Sequence, residues 1–316
     1  MLSVAVRTLD WTLAKGPLVR HLRPANSSPS TIMDALDLAS NFRGHGWDWS
    51  HSQTYIPRET RPANRTAFLF YTLLSAAAHA LIAGAVLKVL LTLAPVGVTT
   101  PEGSTIFDET LPFLVRYLRA TTISILAGFV LYAVMQTTYD LCTILAIVVL
   151  GQDPAQWPPP FDAPWCATSL SDFWGHRWHQ FFRHIFLRLG GHPLSFVLGR
   201  TGLIIGTFLG SVLWHYISLI TLNSKAEIWW MVVGFGMNAV GILAERAYHQ
   251  LTGRRVGGVL GWVWTMAWLA VGGNIIVEGF AREGMFGGWS SFDGTSPLGK
   301  WVERLVIDFD VWLHTI

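Results

Sequence analysis

Five long apolar runs constrain the fold of this chain more than any other feature of its sequence. Each is close to the roughly 20 residues that a helix needs to cross a hydrocarbon core about 30 Å thick. They extend over residues 66 to 94, 120 to 150, 194 to 222, 228 to 249 and 257 to 279. Backbone polar groups inside a bilayer must be satisfied within the protein, so runs of this length predict α-helices. We therefore predict an all-α, polytopic transmembrane helix bundle of five spans, or six if the second run divides.

The composition agrees with a membrane protein and argues against several soluble classes. The chain is 51% hydrophobic and 13% charged, whereas soluble domains carry about a quarter charged residues. A formal net charge of +2 without basic runs predicts no nucleic-acid partner. Cys142 and Cys166 lie in an apolar run and a Pro-rich loop, and two such cysteines form neither a disulfide framework nor a zinc ligand set.

The polar segments at the two ends suggest the domain organisation. Residues 1–65 are polar and mixed, which predicts a non-spanning N-terminal segment. Residues 66–285 are predicted to form one transmembrane domain, and residues 286–316 a C-terminal tail. The first residues show no signal-peptide pattern, so membrane insertion is predicted to depend on the internal spans.

The charges between the apolar runs predict the orientation of the chain. Basic segments precede the first run, precede the third run and follow the fourth, while the loop after the first run is acidic. By the positive-inside rule the basic segments face the cytosol. This predicts that residues 169 to 184, SLSDFWGHRWHQFFRH, lie on the cytosolic side of the membrane.

That stretch is consistent with three hypotheses. On a helix from Ser171 to Leu189 its aromatic residues would cover one broad face, which is typical of an interfacial amphipathic helix. His176 and His179, at positions i and i+3, could instead share a metal site with His184, for zinc or part of a di-iron centre. The remaining histidines stand alone in the sequence, which weakens this hypothesis. A catalytic role is the third hypothesis, and it requires a second residue elsewhere.

His215 is the candidate for that second residue. It is the only side chain in LIIGTFLGSVLWHYISLITL that ionises near neutral pH, and such groups within a span are costly and usually functional. The alternative is a neutral histidine that only packs against a neighbouring helix. Asn238 lies on one helix face with Glu245, so both could line a cavity. Asp140 and His79 are interpreted as polar residues that pack helices together.

Two motifs resemble the wax-synthase-like branch of the membrane-bound O-acyltransferase superfamily, in its fungal biosynthetic form. The stretch WCATSLSDFWGHRWHQ resembles the branch's W…SL-x-DFW-basic-RW signature, which ends in His or Asn; in this chain that last position is His179. The stretch FLGSVLWHYI resembles its FL-x-SGL-x-HE signature, whose intramembrane histidine corresponds to His215. An RG-x-GW pattern in NFRGHGWDW and the Pro-rich QWPPPFDAPW extend the resemblance over roughly residues 40 to 285.

The resemblance implies transfer of an acyl group from acyl-CoA, here acetyl-CoA, to the hydroxyl of a lipophilic terpenoid or meroterpenoid. It implies that His215 deprotonates the hydroxyl as general base. His179 would orient the reactants or stabilise charge on the thioester carbonyl. Acyl-CoA would be a co-substrate, with no bound cofactor and no metal. The candidate substrate-binding residues are Asp172, Trp174, Arg177, Trp178 and Asn238. We expect an integral membrane protein of the endoplasmic reticulum whose partners are membrane lipids and enzymes of the same biosynthetic pathway.

Some positions depart from the pattern of the branch. Tyr216 stands where Glu is usual, and His176 replaces a Lys or Arg. The resemblance also leads us to expect spans before the RG-x-GW stretch. Three alternative functions follow from the same residues: a long-chain wax or sterol ester synthase, a His-box di-iron membrane oxidase, and a non-enzymatic membrane carrier.

Overall fold

The computed structural model describes residues 2–12, 14, 16–21, 30–50, 55–223 and 226–289, together with 304, 307, 311 and 312. Within these residues the helices are α1 (Leu2–Thr12), α2 (Thr31–Ser40), α3 (Arg65–Leu93), α4 (Phe113–Leu150), α5 (Leu170–Asp172), α6 (Arg183–Phe186), α7 (His192–Leu222), α8 (Ile228–Thr252) and α9 (Gly258–Arg282). Two π-helical segments, Phe173–Arg177 and Leu187–Gly191, continue α5 and join α6 to α7. Most of the predicted C-terminal tail lies outside the described residues.

Five helical segments of the described chain are long and apolar enough to cross a membrane, which confirms the predicted bundle. They are Arg65–Leu93, Phe113–Leu150, Arg183–Thr221, Ile228–Thr252 and Gly258–Arg282. The described part of the chain contains no β-strand and only one isolated bridge, between Arg20 and Trp47. Helices α1 and α2, with 11 and 10 residues, are shorter than a membrane span.

The chain divides into two compact units, and each long helix contributes residues to both. Unit 1 contains residues 1–73, 141–214 and 238–266, and unit 2 contains 74–140, 215–237 and 267–316. The three-part domain organisation predicted from the sequence stays a prediction.

In unit 1, the third apolar segment turns back on itself at Gly199. A straight helix of the 39 residues Arg183–Thr221 would be about 58 Å long, roughly twice the thickness of the hydrocarbon core. Gly199 has φ 56° and ψ −137°, a conformation that is essentially restricted to glycine. We call the two halves on either side of it the first arm (183–198) and the second arm (200–214). The predicted start of this span at residue 194 is therefore wrong, because residues 194–198 belong to the first arm.

Glycines allow the backbones of the two arms to touch. Gly190 packs directly on the carbonyl of Gly206, and the carbonyl of Leu194 lies against Gly202. One turn further on, a Cβ at Gly210 would lie 2.8 Å from the carbonyl oxygen of Phe186. Contacts at every fourth residue on both arms indicate an antiparallel helix pair without side chains at its centre.

The single helix predicted from Ser171 to Leu189 is also wrong. The helical segment that begins at Leu170 ends at Arg177, Trp178 is extended (φ −76°, ψ 153°), and helix resumes at Arg183. The Gln180 side chain donates hydrogen bonds to the carbonyl oxygens of Trp174 (3.1 Å) and Trp178 (2.7 Å). These bonds satisfy carbonyls that lose their helical partners at the break. Apolar aromatic residues continue on both sides of it, so hydrophobic periodicity could not reveal it.

Unit 2 has an apolar core where the ends of α3 and α9 meet the start of α4. Fully buried Leu90, Ile106, Ile123 and Phe286 form its centre. The buried carboxylate of Glu278 accepts hydrogen bonds from the Ile106 amide (2.8 Å) and from the Arg282 side chain (2.6 Å). The loop between α3 and α4 is therefore fixed to α9.

A chain of hydrogen bonds also joins α3 to α4 within unit 2. Tyr132 OH donates to His79 Nε2 (3.4 Å), and His79 Nδ1 donates to the Ser75 carbonyl (2.8 Å). Ser75 Oγ donates to the buried carboxylate of Asp140 (2.7 Å), which also accepts from Gln136 (3.0 Å). These contacts confirm the interpretation of His79 and Asp140 as polar residues that pack two helices together.

Candidate active site

We call residues 170–177 the DFW segment. Its Asp172 accepts a hydrogen bond from Arg177 Nε (2.6 Å), and its second oxygen lies 3.4 Å from His176 Nδ1. Arg177 also donates to the carbonyl of Asp162 (3.1 Å). Burial alone would lower the pKa of Arg177, but the hydrogen bond and negative charge of Asp172 outweigh it and raise that pKa. The two charged side chains of the motif therefore stabilise the segment and the loop before it.

His176 lies at the exposed edge of the DFW segment. The ring of Tyr55 packs edge-on against it at 5.0 Å. The Tyr55 hydroxyl donates to the carboxylate of Asp162 (3.0 Å), and this hydrogen bond raises the pKa of Tyr55.

Trp174 points its indole N–H at α8. Nε1 donates to Oδ1 of Asn238 (3.1 Å), whose side chain is buried. The indole also packs edge-on against Phe208 of the second arm, with the ring centroids 5.9 Å apart. Both polar groups are therefore satisfied, and the position of the indole is fixed by α8 and the second arm.

His179 lies at the break in the helix, within an aromatic cluster. Its ring is stacked on Phe181 (5.6 Å) and edge-on to Phe161 (5.9 Å), with the indole of Trp178 at 5.4 Å. Trp178 itself stacks on Phe173 at 5.5 Å. The half-buried imidazole thus faces mainly apolar rings, where a polar interaction with a substrate would be only weakly screened.

Arg43, from the RG-x-GW stretch, supports this cluster and was not singled out from the sequence. Its guanidinium group is buried, lies 5.5 Å from the ring of Phe181, and donates to the carbonyls of Pro158 and Pro159, both at 2.6 Å. The motif was visible in the sequence, but nothing in it indicated which carbonyls the arginine would bind.

His215 lies on α7, in unit 2. Its ring stacks on the buried Phe235 at 4.2 Å and is edge-on to Phe280 at 6.4 Å. Spans α8 and α9 therefore both contribute aromatic walls around a half-buried imidazole. A neutral imidazole held in this way can accept a proton from a hydroxyl group.

The residue before His215 packs on the residues that follow His179. Within unit 1 the indole of Trp214 lies 4.5 Å from Phe182 and 6.5 Å from Phe186. The antiparallel register of the two arms produces these contacts, because the beginning of the first arm pairs with the end of the second.

The structure does not support a metal site in the histidine-rich stretch. The chain leaves the helix at Trp178, so His176 and His179 lose the i, i+3 geometry that would let them share a ligand. His184 is buried and packs edge-on against Trp49 at 4.7 Å. Among the described residues, no group of three or more His, Cys, Asp or Glu side chains could hold a metal ion.

Comparison with known proteins confirms the resemblance predicted from the motifs. Residues 157–236, which include both histidine motifs, match the family described as membrane bound O-acyl transferases. Both His179 and His215 lie in this matched region.

The relatives include fungal and plant acyltransferases. O-Mevalon transferase yanI of Aspergillus niger is 30% identical over 52% of this chain and 36% of its own length. Acetyltransferase sirH of Emericella nidulans is 25% identical over 99% of this chain and 80% of its own length. A probable long-chain-alcohol O-fatty-acyltransferase of Arabidopsis thaliana is 28% identical over 46% of this chain and 45% of its own length.

The chain thus spans less than half the length of two of these relatives and 80% of the third. No solved structure matches it. The five apolar helices among the described residues, together with the family match, indicate an integral membrane protein.

Proposed function

We propose that this protein transfers an acetyl group from acetyl-CoA to a hydroxyl group of a lipophilic secondary metabolite, a terpenoid or meroterpenoid. The observation that carries the proposal is His215, an imidazole held between aromatic rings of two other spans at the motif position that the family's intramembrane histidine occupies. The acetyl donor is favoured because the relative that covers 99% of this chain is named an acetyltransferase.

In the proposed reaction His215 takes the proton of the acceptor hydroxyl. The oxygen then attacks the thioester carbonyl carbon, so that a C–O bond forms and the C–S bond breaks. The departing CoA sulfur receives the proton, which leaves free CoA and the neutral base. His179 orients the reactants or stabilises negative charge on the carbonyl oxygen, and its apolar surroundings would strengthen that interaction. Acyl-CoA is a co-substrate, and the proposal requires no bound cofactor.

The substrate-binding roles predicted for Asp172, Trp174, Arg177, Trp178 and Asn238 stay predictions. Their contacts give them a structural role as well. The location in the endoplasmic reticulum, the cytosolic orientation of the DFW segment and the association with enzymes of the same pathway are also part of the proposal.

The proposal can be tested with membranes that carry the full chain. Labelled acetyl-CoA and candidate terpenoid alcohols are supplied, and ester formation is measured for the wild type and for His215→Ala. General-base catalysis contributes about 10² to 10⁴ in rate, so we expect a loss of that size at normal expression. His249→Ala, an exposed histidine near the end of α8, is the matched control and should keep full activity. Undiminished ester formation by His215→Ala would refute the mechanism.

A second candidate function is long-chain wax or sterol ester synthesis. The plant long-chain-alcohol O-fatty-acyltransferase among the relatives favours it. Replacing acetyl-CoA by palmitoyl-CoA in the same assay separates the two functions. A strong preference for palmitoyl-CoA would reject the acetyl donor and keep the family's chemistry.

A further inference from the structure

The beginning of the DFW segment is held by one buried carboxylate of α8. Glu245 Oε1 accepts hydrogen bonds from the Leu170 amide (2.6 Å) and from the indole N–H of Trp264 (3.1 Å). Its other oxygen accepts from the amide and the hydroxyl of Ser171 (3.0 and 2.8 Å). Each carboxylate oxygen therefore has two donors, and the side chain is only 7% exposed.

Together with Ser169, this carboxylate satisfies every amide at the start of the helix. The Asp172 amide donates to Ser169 Oγ and the Phe173 amide to the Ser169 carbonyl, both at 2.9 Å. The Leu170 and Ser171 amides have no acceptor in the segment itself, since the first amides of a helix lack intrahelical partners. Glu245 supplies both acceptors from a different part of the chain.

The DFW segment needs such support because it is short. It contains eight residues of α- and π-helix between a Pro-rich loop and an extended break, and isolated helices of this length are not stable in water. Helix α8 holds it at two points two turns apart, through Glu245 at its start and Asn238 at the indole of Trp174. Helix α9 approaches from another side, where Gly261 touches the carbonyl of Thr168.

We propose that Glu245 is a positioning residue of the acyl-transfer site, which acts by fixing the DFW segment and through it the start of the break that carries His179. The expected effect of Glu245 on catalysis rests on the proposed function. Its role in fixing the DFW segment does not. Hydrogen bonds from backbone amides to a carboxylate are among the stronger ones in proteins, and all four groups that face the Glu245 carboxyl group are donors. The sequence pattern assigns Glu245 only a place on the face of α8 that carries Asn238.

Glu245→Gln tests this role without changing the size of the side chain. The amide keeps one acceptor oxygen but places an N–H₂ group at the position of the other, where a donor faces the backbone N–H of either Leu170 or Ser171. Hydrogen–deuterium exchange of the full-length protein in detergent should show faster exchange in peptides that contain the Leu170 and Ser171 amides. This measurement requires no substrate, so it remains decisive even if the proposed acetyl transfer fails.

The kinetic expectation is a selective loss of turnover. A small misplacement of catalytic groups can lower the rate by up to about 10²-fold, so kcat should fall by about 10- to 100-fold while KM for acetyl-CoA changes much less. The matched control is Glu283→Gln, because Glu283 is another buried carboxylate that accepts a backbone amide, that of Glu227 at 3.3 Å. It should leave both the exchange at residues 170–171 and kcat near wild-type values.

Three results would overturn the proposal. Unchanged exchange at residues 170–171 in Glu245→Gln would show that the carboxylate does not fix the segment. Faster exchange with full kcat would show that the segment's position has no catalytic consequence. If Glu245→Gln and Glu283→Gln lost kcat to the same extent, the loss would reflect a general decrease in stability, and the proposal would be rejected.

Discussion

One added methyl group at Gly206 should separate the two arms of the third membrane segment. The Cβ of an alanine there would collide with the carbonyl oxygen of Gly190 and would lie 2.5 Å from its carbonyl carbon and 3.0 Å from the amide nitrogen of Gly191. All of these are backbone atoms, so no change of rotamer can relieve the overlap. The helix axes themselves must move apart.

The cost can be estimated by comparison with a glycine that has free space around it. Overpacking of a well-packed interior costs about 1–3 kcal/mol, whereas alanine in place of a helical glycine gains about 0.5–1 kcal/mol. Gly128 of α4 is exposed, and a Cβ added there would have no neighbouring atom within 4 Å, so Gly128→Ala should show only the gain. We therefore expect Gly206→Ala to be about 1–3 kcal/mol less stable than Gly128→Ala.

The assay is denaturant-induced unfolding of the full-length protein in detergent, with the wild type and both variants under identical conditions. The intrinsic helix preference of alanine cancels when the free energies of unfolding of Gly206→Ala and Gly128→Ala are subtracted. Acetyl transfer should fall in Gly206→Ala as well, because the arms also bring Phe182 onto Trp214. A free energy of unfolding for Gly206→Ala that equals or exceeds that of Gly128→Ala would refute the close backbone packing.

Three further predictions concern residues outside the spans. Arg43→Lys should lower the free energy of unfolding by about 1.5–3 kcal/mol and speed limited proteolysis of the Pro-rich loop, because the lysine ammonium group lacks the planar fork of donors that holds the two carbonyls. Asp172→Asn and Arg177→Gln should each cost about 0.2–1 kcal/mol, and the double variant little more than either, as a double-mutant cycle would show; full additivity would contradict the ion pair. Burial is the main cause that lowers the pKa of His45 below 6.5 in the folded protein. As the pH falls, the unfolded chain therefore binds the proton at a higher pH than the folded protein does. The stability that is present above pH 6.5 is lost as the pH falls toward the folded-state pKa. Unfolding midpoints at about pH 7.5 and about pH 5.5 should therefore differ more for the wild type than for His45→Gln, and equal differences would contradict this reasoning.

The sequence by itself determined the all-α membrane bundle and the resemblance to the O-acyltransferase family. Membrane spans can be predicted from sequence because a bilayer imposes a similar length and composition on every helix that crosses it. His215 could be identified as a candidate catalytic residue because an ionisable group in an apolar run is costly to keep. His179 could be identified only from the order of the two motifs.

The tertiary structure alone decided how the apolar segments are arranged. The reversal at Gly199 lies inside apolar sequence, where hydropathy is the same whether a helix continues or folds back. The break at Trp178 has aromatic residues on both sides, so hydrophobic periodicity does not reveal it either. Glu245 and Arg43 carry no local signal of their role, because the donors and acceptors they serve lie 75 and about 116 positions away. Such long-range hydrogen bonds depend on which helices pack together, and a pattern of residues along one helix does not contain that information.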